Sequence, residues 1–176
     1  MVIAFIGYAG LSATGEIVAE NFEKLKERFS ESYLNKARSL AKRAKEDAGS
    51  IRETLTKCGV TFLETSSGCY NALWMLATGD GKKSHGFGIE TELKKIPVRQ
   101  ETIEITNEVD VNPYKIPSDG AFVALFDTEE QIYENFSKKG VPFDVIGGII
   151  EGNRRIIKIG VDKITYLEPP RESGVI

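Results

Sequence analysis

Short apolar runs alternate with helically spaced apolar positions along the whole chain. Val2–Ile6 (VIAFI) is continuously apolar over strand length and reads as a buried strand. Gly7, Gly10 and Gly15 make the next segment a turn-rich loop. Val18, Phe22, Leu25 and Phe29 then recur at helical spacing. A second stripe follows: Tyr33, Ala37, Leu40, Ala44 and Ala48, with Gly49 placed to end that helix. Ser50 and Glu53 have capping-box spacing and predict a short third helix to Lys57. The helices between 12 and 48 read as an αα-hairpin.

Val60–Leu63 predicts a strand, Thr65–Gly68 a tight polar loop, and Cys69–Ala77 a helix stopped by Gly79. Gly86–Thr91 alternates around Phe87 and Ile89 as a half-buried strand does. A helix begins near Pro97 with Val98, Thr102, Ile105 and Val109 on one face. Ala121–Phe126 is an apolar strand, followed by a helix capped by Asp127 or Thr128 and ending at Gly140. Phe143–Ile150 is another strand. Turns at Gly152-Asn153 and Val161-Asp162 predict antiparallel partners running to Leu167, and Pro169-Pro170 closes the ordered part. Strands interleaved with helices predict an α+β domain, a mixed sheet with helical layers, and 176 residues suit one domain spanning 1–176.

Composition narrows the function classes. The net charge of −3, with cations interleaved among carboxylates as in Glu23–Arg28, argues against a nucleic-acid binder. The apolar N-terminal run is too short for a membrane segment or leader, so no membrane association and a cytoplasmic location are expected. The two cysteines, Cys58 and Cys69, and the single His85 form no spaced metal motif, and both thiols read as reduced. Cys69, at a helix start, has the placement of an activated thiol and equally that of a packed small residue.

Three loops are candidates for chemistry. Gly7–Gly15 (GYAGLSATG) joins strand to helix. Its glycines, Gly7 and Gly10 first, suit either an anion held on free N–H groups or a plain turn. The spacing is neither the dinucleotide fingerprint nor a P-loop. In Glu64–Gly68, the residues Thr65, Ser66, Ser67 and Gly68 bring hydroxyls and N–H groups to a helix start. That arrangement suits a phosphate or carboxylate, or an N-cap by Ser66 or Ser67. Ser118, Asp119 and Gly120 precede an apolar strand, where Asp119 could orient a ligand hydroxyl or amine, or close a turn on its own backbone. His85, in the polar turn Gly81–Gly86, reads as exposed. Arg154 and Arg155, at a hairpin, read as solvated, and Trp74 and Met75 as core or interface.

Two runs carry a family resemblance. Glu92–Gly120 (ELKKIPVRQETIEITNEVDVNPYKIPSDG) and Phe143–Gly152 (FDVIGGIIEG) resemble signature stretches of the C-terminal domain of the AIR-synthase-like family. That family includes aminoimidazole ribonucleotide synthase, selenophosphate synthetase and the HypE-type hydrogenase maturation proteins. Ala72–Ala77 and Gly7–Gly15 are similar to its post-loop helix and hinge. The resemblance covers nearly the whole chain, with 30–58 only loosely matched. It implies a three-layer α/β/α domain, partly ferredoxin-like, that pairs as a homodimer and works with hydrogenase maturation proteins. It also implies ATP and Mg2+ in full-length members, held mainly by an N-terminal domain absent from this chain, and no cofactor in this chain alone. The expectation is the substrate-side half of an ATP-dependent enzyme. A regulatory homologue and a module for a small phosphorylated or carboxylated ligand are the alternatives. Two departures stand out. Cys69 takes the place of a family glycine after Glu64–Gly68, and the chain ends Pro169–Ile176 without the terminal cysteine of the maturation dehydratase.

Overall fold

The structure is a computed structural model that describes residues 1–79 and 86–170. The turn around His85 and the residues after Pro170 lie outside the described residues.

The chain runs β1 (Val2–Ile6), α1 (Leu11–Glu20), α2 (Phe22–Leu25), α3 (Glu31–Cys58), β2 (Thr61–Thr65), α4 (Cys69–Thr78), β3 (Gly88–Glu92). A 3-10 turn at Leu93–Lys95 leads to α5 (Gln100–Glu108), β4 (Ser118–Phe126), α6 (Glu129–Phe136), β5 (Phe143–Ile150), β6 (Arg155–Lys158) and β7 (Ile164–Tyr166). The strands form one seven-stranded sheet in the order β2-β4-β1-β5-β3-β6-β7. Neighbours are antiparallel except β3 and β6, which are parallel.

Both faces of the central strands are covered, which is why β1 and residues 121–126 of β4 read as continuous apolar runs. Ile3, Phe5, Val123 and Leu125 point to one face and pack with Leu73 and Leu76 of α4. Ala4, Ile6, Phe122 and Phe126 point to the other and pack with Ile51 and Leu55 of α3 and Ile132 and Phe136 of α6. The result is the expected three-layer α/β/α arrangement. A smaller cluster (Val18, Leu25, Leu34, Ala37 and Ile105) gathers α1, α2, α3 and α5.

Four local expectations change. The Gly7–Gly15 loop is shorter than predicted, because α1 starts at Leu11 and Gly15 lies inside it against Ala41. Asn21 interrupts the first predicted helix, its side chain donating to the Ile17 carbonyl. The helix from Glu31 does not stop at Gly49 but runs on to Cys58. Ser30 caps its start by accepting from the Tyr33 amide, and Gly59 ends it in the left-handed region. A mid-helix glycine costs about 1 kcal/mol, and burial of Ala48, Ile51 and Leu55 on the sheet outweighs that. Lastly, α6 ends at Phe136 rather than Gly140.

The predicted β5–β6 hairpin does not form. The turn at Gly152 carries the chain over β3, and β6 pairs with β3 in parallel, Ile89 opposite Arg155 and Thr91 opposite Ile157. β3 fits beside β5 because Gly147 leaves room for the Glu90 backbone, whose carbonyl would lie 1.9 Å from a Cβ there.

Candidate functional site

The three predicted loops meet at one end of the sheet, where β1 and β2 end and β4 begins. Thr65 is opposite Ser118 in the β2–β4 pairing. The Gly10 amide donates to Ser118 Oγ at 2.6 Å, and the Asp119 amide to Ser12 Oγ at 2.8 Å. The Gly120 amide donates to Glu64 Oε1 at 3.0 Å, and Glu64 also pairs with Arg52 of α3. The structure therefore brings Gly7, Gly10, Thr65, Gly68, Ser118, Asp119 and Gly120 together.

Most of these groups are engaged with protein. Thr65 Oγ1 is buried and lies 2.9 Å from the Ser118 carbonyl and 3.0 Å from the Ala121 carbonyl, spanning the irregularity in the β2–β4 register. The amides of Gly7 and Ala9 donate to the carbonyls of Pro142 and Pro97. A Cβ on Gly68 would meet the Lys115 carbonyl at 2.7 Å, and the Tyr70 amide donates to the Tyr114 carbonyl. The start of α4 is thus met by carbonyl oxygens of the chain itself, whose partial negative charge suits the helix's positive end. Ser66 and Ser67 are exposed, and neither caps α4. Cys69 is fully buried, and burial pushes its thiol well above the ordinary range, so it is a packed residue and not a nucleophile.

Gly7 and Gly120 border open space on their other side. They line a cavity of about 420 Å³ between the β1–α1 turn, α3 and the α6–β5 turn. Its charged walls are Arg43 and Asp47 of α3, Arg99 before α5, and Lys139. Nothing in the sequence singles out Arg43 or Lys139. The run holding Arg99 and Glu101 stood out only for its family resemblance.

Arg99 is held in place by Glu101. Its Nε and Nη2 donate to the two carboxylate oxygens at 3.0 and 3.2 Å, and its guanidinium lies 5.4 Å from the centre of the Tyr8 ring. Lys36 Nζ reaches the same carboxylate at 2.9 Å. Glu101 is 3% exposed, and the Arg99 hydrogen bonds, more than the burial that opposes them, hold its pKa down at about 2. Beside it, Tyr33 donates to Glu104 at 2.5 Å.

Away from this end, Arg155 stacks over Trp74 at 4.1 Å instead of standing in solvent, and Arg154 is exposed as expected. Among the described residues no His, Cys, Asp or Glu cluster could hold a metal ion, and no helix is long and apolar enough to cross a membrane.

No family model matches the sequence, and comparison with curated proteins finds no relative. Solved structures do match. E. coli HypE, a hydrogenase maturation protein, superposes over 99% of this chain with a TM-score of 0.67 at 15% identity. The fold is AIR-synthase-like. HypE from a HypE–HypF complex matches over 96% of this chain (TM-score 0.63, 14% identity). AaThiL complexed with AMPPCP and TMP matches over 93% (TM-score 0.59, 16% identity). The chain spans about half the length of these proteins, covering 51%, 52% and 50% of them. At these identities the likeness speaks for the fold alone.

Proposed function

We propose that this chain is the substrate-side, C-terminal half of an ATP-dependent AIR-synthase-like protein of the hydrogenase-maturation kind, and that it does not turn over ATP alone. The observation that carries this reading is the end-to-end match of the chain to one half of HypE. The nucleotide that accompanies AaThiL is a feature of that protein. On this reading ATP and Mg2+ belong to residues outside this chain, and the chain's part is to hold the acceptor. It works in the cytoplasm with hydrogenase maturation proteins as partners, HypF being HypE's partner in the matching complex.

The test is a coupled ATPase assay on the chain with Mg2+. The expected result is a rate equal to the protein-free control. Turnover approaching the ~10 s⁻¹ typical of enzymes would sink the proposal. The reading includes a homodimer, for which β2 and β7, the outermost strands of the sheet, are the available edges. Sedimentation of the same sample decides this, and a strict monomer at high concentration removes the dimer.

A regulatory homologue is the second reading. It is favoured by the start of α4, where the chain's own carbonyls take the place a ligand anion would need.

A further inference from the structure

We infer that the cavity between α3, the Gly7–Leu11 turn and the Lys139–Pro142 turn binds a phosphate monoester with an apolar body. This inference stands apart from the ATP-dependent reading, since it rests on the cavity's own walls.

Its volume of about 420 Å³ falls within the ~300–1,000 Å³ usual for small-molecule sites. Arg43, Arg99 and Lys139 line it with a single carboxylate, Asp47, an excess of positive charge in a chain whose net charge is −3. The cations come from separate segments of the fold: a helix, the lead-in to α5 and a turn. Among the described residues, no ion pair engages Arg43, Lys139 or Asp47. Elsewhere the surface pairs Lys with Glu at helical spacing, as in Lys57 with Glu53 and Lys42 with Glu46. Cations left over around a concavity are the arrangement that anion binding requires.

Arg99 differs from the other two. Glu101 takes two of its donors and Tyr8 covers its face, so the guanidinium is oriented before any ligand arrives and keeps further N–H donors. Preorganisation of that kind lowers the cost of binding. Arg43 and Lys139 are exposed and supply mobile charge. Several cations lining one cavity suit a phosphate dianion better than a carboxylate, which one guanidinium satisfies in bidentate fashion. Leu11, Leu40, Ile51 and Val141, with the Tyr8 ring, form the apolar part of the wall, and they take an organic body that inorganic phosphate lacks.

The probe is phenyl phosphate, compared with inorganic phosphate and benzoate. Titration is followed by amide NMR at low and matched ionic strength. The expected order of affinity is phenyl phosphate, then inorganic phosphate, then benzoate, with shifts centred on residues 7–11, 120 and 139–142. Replacing both Arg43 and Lys139 by alanine is expected to weaken phenyl phosphate binding at least about tenfold, the effect of losing hydrogen bonds to a charged group. The charge-matched pair Lys24→Ala and Lys163→Ala, at exposed positions outside the cavity, is expected to leave it unchanged. The inference is overturned if the intact chain takes up no phenyl phosphate at millimolar concentration, if benzoate binds as well, or if both double variants lose affinity equally.

Discussion

Replacing Gly120 by alanine is expected to destabilise the domain by at least about 4 kcal/mol, the range reserved for a backbone clash combined with strain. Gly120 sits at φ +86, where an L side chain costs about 1–2 kcal/mol. The larger effect is steric. A Cβ at this position would lie 2.2 Å from the Ala44 carbonyl oxygen and 2.7 Å from its carbon, both backbone atoms of α3. The helix cannot recede without lifting Ile51 and Leu55 off Phe122 and Phe126. The same shift would strain the bond from the Gly120 amide to Glu64. Gly140→Ala is the control. It shares the positive φ, at +67, but a Cβ there meets nothing within 4 Å, so only the strain applies. Urea unfolding of the two variants separates clash from strain. Domains of this kind carry about 5–15 kcal/mol of stability in all, so Gly120→Ala approaches loss of the fold. If it unfolds with wild-type stability, the packing account of Gly120 fails, and close ligand approach becomes the reason for glycine at this position.

That comparison bears on what the sequence could reveal. Glycines at the sheet end were legible because positive φ and close backbone approach leave few other choices of residue. What they approach was not. Gly68 and Gly120 make room for the 112–117 segment and for α3, contacts between residues far apart in the chain. β5 was legible over its full length, Phe143–Ile150, because its composition is strand-like and Gly140 and Gly152 bound it. Its neighbour was not, since nothing local to Arg155–Lys158 says that β3 lies in between. Gly49 reads as a helix end for a related reason, although α3 runs through it. Propensity is a local quantity, and the burial that overrides it comes from β4. Charged residues are hardest to read. Arg43 and Lys139 look like any solvated cation until α3 and the α6–β5 turn are seen to close on the same cavity.

Glu101→Gln is expected to lower stability by about 3 kcal/mol at neutral pH, and the loss should disappear in acid. The Glu101 carboxyl titrates at about 2 in the folded chain against 4.5 for the free group, chiefly through the paired hydrogen bonds from Arg99. A depressed folded pKa means that the unfolded chain takes up the proton first. The stabilisation is therefore fully present above pH 4.5 and is lost as pH falls towards 2. That interval corresponds to about 3 kcal/mol, in keeping with the ~3–5 kcal/mol for removing one member of a buried charge pair. Glutamine keeps the size and one acceptor, so the change reports the charge and not a cavity. Unfolding free energies of both proteins from pH 2 to 7 provide the check. The expected curves diverge between pH 2 and 5 and then run parallel. Curves parallel across the whole range would show that Glu101 gains nothing from Arg99 and Lys36. The same variant tests whether the buried carboxylate also serves the cavity. Arg99 freed from its fork should still carry its charge but lose its fixed direction. Phenyl phosphate affinity should then fall in Glu101→Gln while the cavity's net positive charge rises, an outcome that charge alone predicts with the opposite sign.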